Sequence, residues 1–150
     1  MSDMNEPAAQ IVNDELTEKV IGCAIKLHRV LGPGFLETIY HQAFAHELGK
    51  AGIPFVNEAR MQVKYDGIVL GDYIADFLID HRVVIEIKAI DALLKAHEVQ
   101  LVNYLNAIQY DVGLLINFGG DKVQVKRKYR ERHPSKESGL SLLVPHVPPV

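Results

Sequence analysis

Apolar residues recur every three to four positions in three stretches of the chain, which is the spacing of an amphipathic helix. Asn13 is placed to cap the first helix, and Gly32–Pro33 ends it. The second helix is expected to begin near Gly34 and to end at Gly49. The third covers residues 93–108. Each of these helices therefore has one apolar side to bury against another layer of the protein.

The remaining apolar segments have the length and alternation of strands. Asp66–Gly67 is a strong signal for a two-residue hairpin, and Gly71–Asp72 predicts an irregularity in the strand that follows it. Because a helix separates the third and fourth strands, these two are expected to be parallel neighbours. The order predicts an α/β fold, with a mixed central sheet flanked by helices. The predicted strands are residues 59–65, 68–79, 83–90, 111–118 and 122–130.

Composition and charge narrow the class of protein. Of the 150 residues, 48% are hydrophobic and 23% charged, which is typical of a globular chain. The single cysteine, Cys23, excludes an internal disulfide, and no apolar run approaches the roughly 20 residues that span a bilayer. We therefore expect a cytoplasmic protein that does not engage a membrane. A net charge of −3 means that nucleic-acid binding would depend on a local basic patch or on metal ions.

The chain is expected to form one domain. Residues 13–132 contain all the predicted helices and strands. Residues 1–12 are polar and are expected to be flexible. The tail over residues 133–150 contains four of the seven prolines and is expected to be irregular.

Three charged residues interrupt the apolar runs over residues 74–79 and 83–90: Asp76, Glu86 and Lys88. Ionised side chains are costly to bury unless something compensates their charge. If residues 80–82 form a three-residue loop, the register sets Asp76 directly opposite Glu86. Lys88 lies two positions beyond Glu86 and therefore points to the same face. A loop of another length would remove this alignment.

Opposed carboxylates have two explanations. Under strict alternation Asp76 shares a face with Ile74 and Leu78, and its Cβ lies about 5 Å from that of Glu86. Two carboxylates at that distance repel by roughly 3 kcal/mol at an effective dielectric of about 20, and a hard divalent cation, Mg²⁺ or Mn²⁺, would relieve the repulsion. Lys88 could then orient a water or stabilise charge on a phosphate. The simpler explanation is an ion pair of Lys88 with one of the carboxylates on a half-exposed sheet.

Two predicted helices carry polar residues that could join these strands. Glu37 has Tyr40 and His41 on the same helix face, since they follow at positions i+3 and i+4. Otherwise it is a solvated glutamate that the helix dipole favours. Gln100 and Tyr104 are one turn apart and project together. The alternative for this pair is the ordinary polar side of an amphipathic helix.

Three motifs, in this order along the chain, are similar to those of a known family. Residues 34–40 have the pattern G-x-x-E-x-x-Y, Asp76 is followed by Glu86-Ile87-Lys88 in the manner of a D…(D/E)-x-K signature, and residues 100–104 have the pattern Q-x-x-x-Y. Together they resemble the PD-(D/E)XK nuclease superfamily. The first resembles its GxxExxY family, and the third its RecB-like and lambda-exonuclease-like members. Ala75 stands where proline precedes the aspartate in the family name.

The resemblance implies a PD-(D/E)XK (restriction-endonuclease-like) core and a nuclease that hydrolyses phosphodiester bonds, with DNA as the expected substrate by analogy. Mg²⁺ is the implied cofactor, and Mn²⁺ is expected to substitute for it. The alternative is a catalytically silent module of the same fold that binds nucleic acid or a protein partner. The implied site residues are the metal ligands Asp76, Glu86 and Glu37, the backbone carbonyl of Ile87 as a further ligand, the catalytic Lys88, and Gln100 and Tyr104 as positioning residues.

Basic residues concentrate in the last predicted strand and could contact phosphates. The same charges would also keep an edge strand from pairing with another sheet, and the sequence favours neither explanation. It also leaves open whether two copies form a homodimer. The candidates for contact with nucleic acid are Lys126, Arg127, Lys128 and Arg130.

Overall fold

Three helices and five strands make up residues 8–131, the part of the chain that the computed structural model describes, with side chains described from residue 15 onwards. None of these helices is both long and apolar enough to cross a membrane. The tail predicted over residues 133–150 lies outside the described residues. The helices are α1 (Ala8–Leu31), α2 (Glu37–Lys50) and α3 (Lys95–Ile108), and the strands are β1 (Phe55–Tyr65), β2 (Ile68–Ile79), β3 (Val83–Lys88), β4 (Val112–Asn117) and β5 (Gln124–Tyr129).

The five strands form one sheet in the order β1-β2-β3-β4-β5. β3 and β4 are parallel and are connected through α3, whereas all other neighbours are antiparallel. The predicted mixed sheet and its parallel strand pair are therefore confirmed. α1 and α2 pack on one face of the sheet, and α3 packs on the other. All six residues of β4 are buried, because helices cover this strand on both faces.

The first two helices begin at residues other than those predicted. α1 begins at Ala8, so Asn13 lies inside the helix instead of capping it. The Ala-Ala-Gln start has high helix propensity, which favours this extension. α2 begins at Glu37 and not near Gly34, and its N-cap residue makes no side-chain hydrogen bond.

Tyr40 holds the turn between α1 and α2. Its buried hydroxyl donates to the carbonyl of Gly32 (2.5 Å) and accepts from the amide of Phe35 (3.2 Å). Its ring stacks on Phe118, which follows β4, with 5.0 Å between ring centroids. Gly34 has φ +107°, a conformation that glycine adopts without strain. Tyr40 is therefore a structural residue that fixes the chain just before α2.

The loop over residues 80–82 has the predicted length and register. The antiparallel pairing of β2 with β3 ends at Phe77 and Ile85. Continued by one position, this register would align Asp76 with Glu86, but the pairing of the two strands ends before these residues. We call the point beyond Phe77 and Ile85, where β2 and β3 separate, the β2–β3 fork.

Strict alternation of side chains fails at Asp76. Tyr73 packs in the same core as Leu78, although five positions separate them and alternation would put them on opposite faces. Across β1, the residue aligned with Asp76 is Glu58, which has φ +50°, and the pairing of β1 with β2 skips this position. Since the backbone is irregular in both strands here, the predicted sharing of one face by Asp76, Ile74 and Leu78 is wrong.

A β-bulge lies near the hairpin that joins β1 and β2. Val63 pairs with Gly71 whereas Lys64 pairs with Val69, so Leu70 is the extra residue. The irregularity predicted at Gly71–Asp72 therefore occurs one residue earlier.

Asn117 ties the end of β4 to the chain that follows β3. This buried side chain accepts from the amides of Ile90 (2.9 Å) and Gly119 (3.1 Å), and it donates to the Ile90 carbonyl (2.8 Å) and to Gln124 Oε1 (2.9 Å). At Gly119 an added Cβ would lie 2.2 Å from the Ile90 carbonyl oxygen, so only glycine fits. The amide of Phe118 also donates to the carbonyl of Lys88 (2.8 Å). These contacts fix the end of β3.

Candidate functional site

Asp76 lies at the β2–β3 fork. There its carboxylate accepts a hydrogen bond from β3 that the backbone of a paired strand would otherwise accept. Its Oδ2 accepts a hydrogen bond from the amide of Ile87 at 2.6 Å. On the α2 side, Nε2 of His41 lies 3.4 Å from the Asp76 carbonyl oxygen, and the His41 ring stacks on Phe77 at 4.4 Å. β3 and α2 thus both orient Asp76, and these contacts do not use its second carboxylate oxygen.

Glu86 projects from β3 toward α3 and is mostly buried. The hydroxyl of Tyr73 donates to its Oε2. Burial, followed by the charge of Glu86, raises the pKa of Tyr73 well above its usual range, so the phenol stays protonated and remains a donor. The Tyr73 ring stacks on Tyr104 of α3, with centroids 4.2 Å apart and planes at 15°. A chain of contacts therefore runs from α3 through Tyr73 to the Glu86 carboxylate.

The carboxyl groups of Asp76 and Glu86 interact directly. Burial and then the neighbouring charge of Asp76 raise the pKa of Glu86 to about 8, and the two groups lie within hydrogen-bonding reach. The Tyr73 hydrogen bond and the charge of Lys88 act in the opposite direction. Two carboxylates that compete for one proton can also share a cation, which stabilises both in the ionised form.

Lys88 and Glu37 complete the charged cluster around the fork. Although Glu37 is an exposed residue, partial burial of its carboxyl raises its pKa, as does the charge of Asp76, while Lys88 and His41 lower it. Lys88 is within electrostatic range of both Glu37 and Glu86, yet across residues 15–131 it makes no ion pair within 4 Å. The simpler explanation of these charges, an ion pair of Lys88 with Asp76 or Glu86, is therefore not what the structure contains.

A cleft of about 320 Å³ opens between the fork and α3. Glu86 and Lys88 line it on the sheet side, and Gln100 and Tyr104 line it on the helix side. Asp72, Tyr73, Ile74, His97, Leu101 and Leu115 form the rest of its wall. The structure thus brings the (D/E)-x-K residues together with the Q-x-x-x-Y residues, whereas Glu37 approaches the fork from the α2 side, outside this cleft.

The donors at the fork suit a hard divalent cation. Carboxylate oxygens favour Mg²⁺ or Mn²⁺, and Mg²⁺ is commonly bound through one or two carboxylates with water completing its shell. Asp76 and Glu86 provide two such carboxylates. In the part of the chain that the structure describes, no three Asp, Glu, His or Cys side chains are close enough to hold one ion together. Glu37 is therefore near the carboxylate pair without sharing one ligand cage with it.

The basic residues of β5, together with Arg130 directly after it, do not form one patch. Lys128 pairs with Glu98 of α3 at 3.0 Å, and Arg130 pairs with Asp111 at 3.0 Å. The remaining candidates are Arg127, which donates to Thr17 Oγ1 of α1 at 2.7 Å, and Lys126, which is exposed. Because Arg127 reaches α1 while Lys128 reaches α3, their side chains leave opposite faces of the sheet. These charges also attach β5 to the helices.

Sequence reasoning missed Tyr73. Under strict alternation its side chain would point away from Glu86, so no pattern indicated the contact between them. Only the irregularity at Asp76 and Glu58 turns Tyr73 toward α3. The contact of His41 with the Asp76 backbone was also not predicted, although the helical spacing placed His41 on the face of Glu37.

Comparisons with known proteins agree with this fold. The family model described as the PD-(D/E)XK nuclease superfamily matches residues 14–128, and with the mixed sheet this confirms the predicted core. The crystal structure of SSO0001 is similar in fold at a TM-score of 0.52 and 22% sequence identity. That similarity covers 70% of this chain and 55% of SSO0001, so this chain spans about half the length of that protein. None of the curated proteins matches the chain.

Proposed function

Because the chain belongs to the PD-(D/E)XK nuclease superfamily, whose members are usually nucleases that use divalent metals, we propose that it hydrolyses phosphodiester bonds of nucleic acid, with DNA as substrate. The observation that carries this proposal is the carboxylate pair Asp76 and Glu86 beside Lys88, which forms no ion pair with any side chain of residues 15–131. Burial and then the charge of Asp76 raise the pKa of Glu86, so the pair is unfavourable when both groups are ionised and no cation is bound. The first motif of the chain supports an assignment to the GxxExxY family within the superfamily.

The metal site that we propose consists of Asp76, Glu86 and the backbone carbonyl of Ile87. Glu37, the further ligand that the resemblance implies, would have to move toward this pair from the α2 side, because in the described chain it does not share one ligand cage with them. Mg²⁺ is the proposed cofactor and Mn²⁺ its substitute, since both prefer oxygen ligands. When bound, the cation supplies charge that activates water and neutralises the phosphate. Asp76 and Glu86 each have one oxygen engaged by a protein donor, which fixes the direction of the other.

The remaining residues of the cleft would act on the substrate and the water. Lys88 would donate to the attacking water or to a phosphate oxygen, because no ion pair within the described chain occupies its ammonium. Gln100 and Tyr104 would position the phosphodiester from α3. Contacts with phosphates of the nucleic acid on either side of the cleaved bond would come from the basic residues of β5, beginning with the exposed Lys126. The other candidates there are Arg127, Lys128 and Arg130.

Cleavage assays on isosteric variants test this proposal. We expect wild-type protein to cleave single-stranded or double-stranded DNA with Mg²⁺ or Mn²⁺ and not with EDTA. Lys88→Met should lower the rate by about 10²–10⁴-fold, the usual contribution of a residue that assists proton transfer. Asp76→Asn should lower it at least as much. The matched controls Lys19→Met and Glu18→Gln alter exposed residues of α1 and should cleave like wild type.

Equal cleavage by wild type, Lys88→Met and Asp76→Asn would contradict the assignment of this site. RNA of the same sequence tests the choice of DNA. Calorimetry with Mn²⁺ separates an enzyme from a catalytically silent module. The enzyme must bind Mn²⁺ through Asp76 and Glu86, whereas the silent module does not need to bind it. A cytoplasmic location and a homodimer stay predictions, and size-exclusion chromatography with light scattering tests the second.

A further inference from the structure

We infer that Tyr73 is a positioning residue, which holds the Glu86 carboxylate in the orientation that binds the cation, and that the Tyr104 ring holds Tyr73 in turn. This inference rests on the proposed function, since it assigns a role to the surroundings of a proposed metal ligand. It adds a residue that none of the three sequence motifs contains. It also gives Tyr104 a role that acts through its ring rather than through its hydroxyl.

Glu86 needs an external donor to adopt one orientation. Three side-chain torsions separate its carboxylate from the β3 backbone, so burial alone does not fix the carboxylate direction. Lys88 is near but makes no ion pair with it in the described chain, and Asp76 offers a second carboxylate rather than a permanent donor. The Tyr73 hydroxyl donates to Oε2. Oε1 is then directed by that hydrogen bond.

Burial and ring stacking hold the Tyr73 side chain in one position. Only 8% of its surface is exposed, and its ring belongs to the core between the sheet and α3. The parallel stack on Tyr104, at 4.2 Å between centroids, sets the plane of the phenol and hence the direction of its hydroxyl. The backbone irregularity at Asp76 and Glu58 turns the side chain to this face. The fold thus uses an irregular strand to aim one hydroxyl at Glu86.

Metal ligands in proteins are commonly oriented by such outer hydrogen bonds, and their loss typically costs about 10–100-fold in metal affinity. Asp76 has a comparable support, because the Ile87 amide donates to its Oδ2 at 2.6 Å. Each of the two carboxylates is therefore held through one oxygen by a hydrogen-bond donor. The backbone donor cannot be removed by substitution of a side chain, whereas the Tyr73 donor can.

The test is the dissociation constant of Mn²⁺, measured by calorimetry on metal-free protein, for wild type and Tyr73→Phe. Phenylalanine keeps the stacked ring and removes only the hydroxyl. We expect binding to weaken by about 10–100-fold. Tyr65→Phe is the matched control, because Tyr65 is 64% exposed at the far end of β1, and its dissociation constant should equal that of wild type.

Two variants of Tyr104 test whether its ring holds Tyr73 in place. Tyr104→Leu removes the aromatic platform and should weaken Mn²⁺ binding as Tyr73→Phe does, while Tyr104→Phe keeps the ring and should preserve the affinity for Mn²⁺. A purely structural role of Tyr73 would lower the melting temperature in EDTA and leave the dissociation constant of the folded protein unchanged. Equal dissociation constants for wild type and Tyr73→Phe would overturn the inference.

Failure of the proposed function gives a different result. In that case wild type itself shows no Mn²⁺ binding that depends on Asp76 and Glu86. A readout without metal then still decides the inference: crystal structures of wild type and Tyr73→Phe in EDTA. The inference requires the Glu86 carboxylate to change direction or become disordered in the variant. An unchanged Glu86 carboxylate would overturn it whether or not the protein binds metal.

Discussion

Replacing Glu86 by glutamine isolates the electrostatic cost of the carboxylate pair. Glutamine has nearly the same shape, can still accept the hydrogen bond of Tyr73, and can donate to Asp76 as a protonated glutamic acid would. It carries no charge at any pH. A difference in the pH dependence of stability between wild type and Glu86→Gln therefore reports the ionisation of Glu86 together with its coupling to Asp76.

The magnitude follows from the pKa of Glu86, which burial and Asp76 raise from 4.5 to about 8. Between these two values the folded state keeps a proton that the unfolded state releases, so the contribution of Glu86 to stability is fully present below pH 4.5 and is lost as the pH rises to about 8. Each pH unit corresponds to about 1.4 kcal/mol, which gives a loss on the order of 5 kcal/mol. This is a large share of the roughly 5–15 kcal/mol that stabilises a typical domain.

Urea unfolding followed by circular dichroism, in EDTA at pH 5 to 9, measures the difference. Wild type should lose stability steadily up to about pH 8 and then level off. Glu86→Gln should lack this decline and be several kcal/mol more stable than wild type at pH 8. Glu18→Gln, which changes an exposed glutamate of α1, should follow the wild-type profile. Parallel profiles for wild type and Glu86→Gln would refute the reasoning.

Three further predictions concern the cation and the framework of the site. Mn²⁺ affinity should rise with pH up to about 8, because the cation must displace the proton from Glu86, and calorimetry at pH 6, 7 and 8 measures this. Gly119→Ala should prevent folding or cost more than about 3 kcal/mol, since its Cβ would overlap backbone atoms of Ile90, whereas Gly22→Ala, in an open helical position, should be neutral or stabilising. Tyr40→Phe should cost about 1–3 kcal/mol in urea unfolding, because it leaves the buried polar atoms of the turn before α2 without their partner.

The register at the site could be derived from the sequence because it depends on local features. A three-residue loop at residues 80–82 pairs Ile79 with Val83, as the structure does, and this register continued beyond Phe77 and Ile85 aligns Asp76 with Glu86. The parallel pairing of β3 with β4 followed in the same way from the intervening helix and the wholly apolar strand. Patterns of this kind determine which charged residues meet.

The surroundings of these residues could not be derived in that way. The contact of Tyr73 with Glu86 depends on a backbone irregularity that involves Glu58, and no glycine or proline marks that position. The basic residues of β5 looked alike in sequence, yet Lys128 and Arg127 are attached to different helices. Their partners come from distant parts of the chain, so alternation along one strand gives no information about them.

Beyond the β2–β3 fork, residues 68–75 of β2 have a strand neighbour on one side only. β1 pairs with them as far as Tyr65 and Ile68, whereas β3 has already turned away within the described chain. Peptide groups on the other side of β2 therefore direct N–H and C=O groups toward the space that β3 would have filled, next to the wall formed by Asp72, Tyr73 and Ile74. These main-chain donors and acceptors must be solvated or matched by a ligand. They give the cleft a polar rim whose hydrogen-bonding pattern is independent of side-chain identity and persists through any substitution except proline.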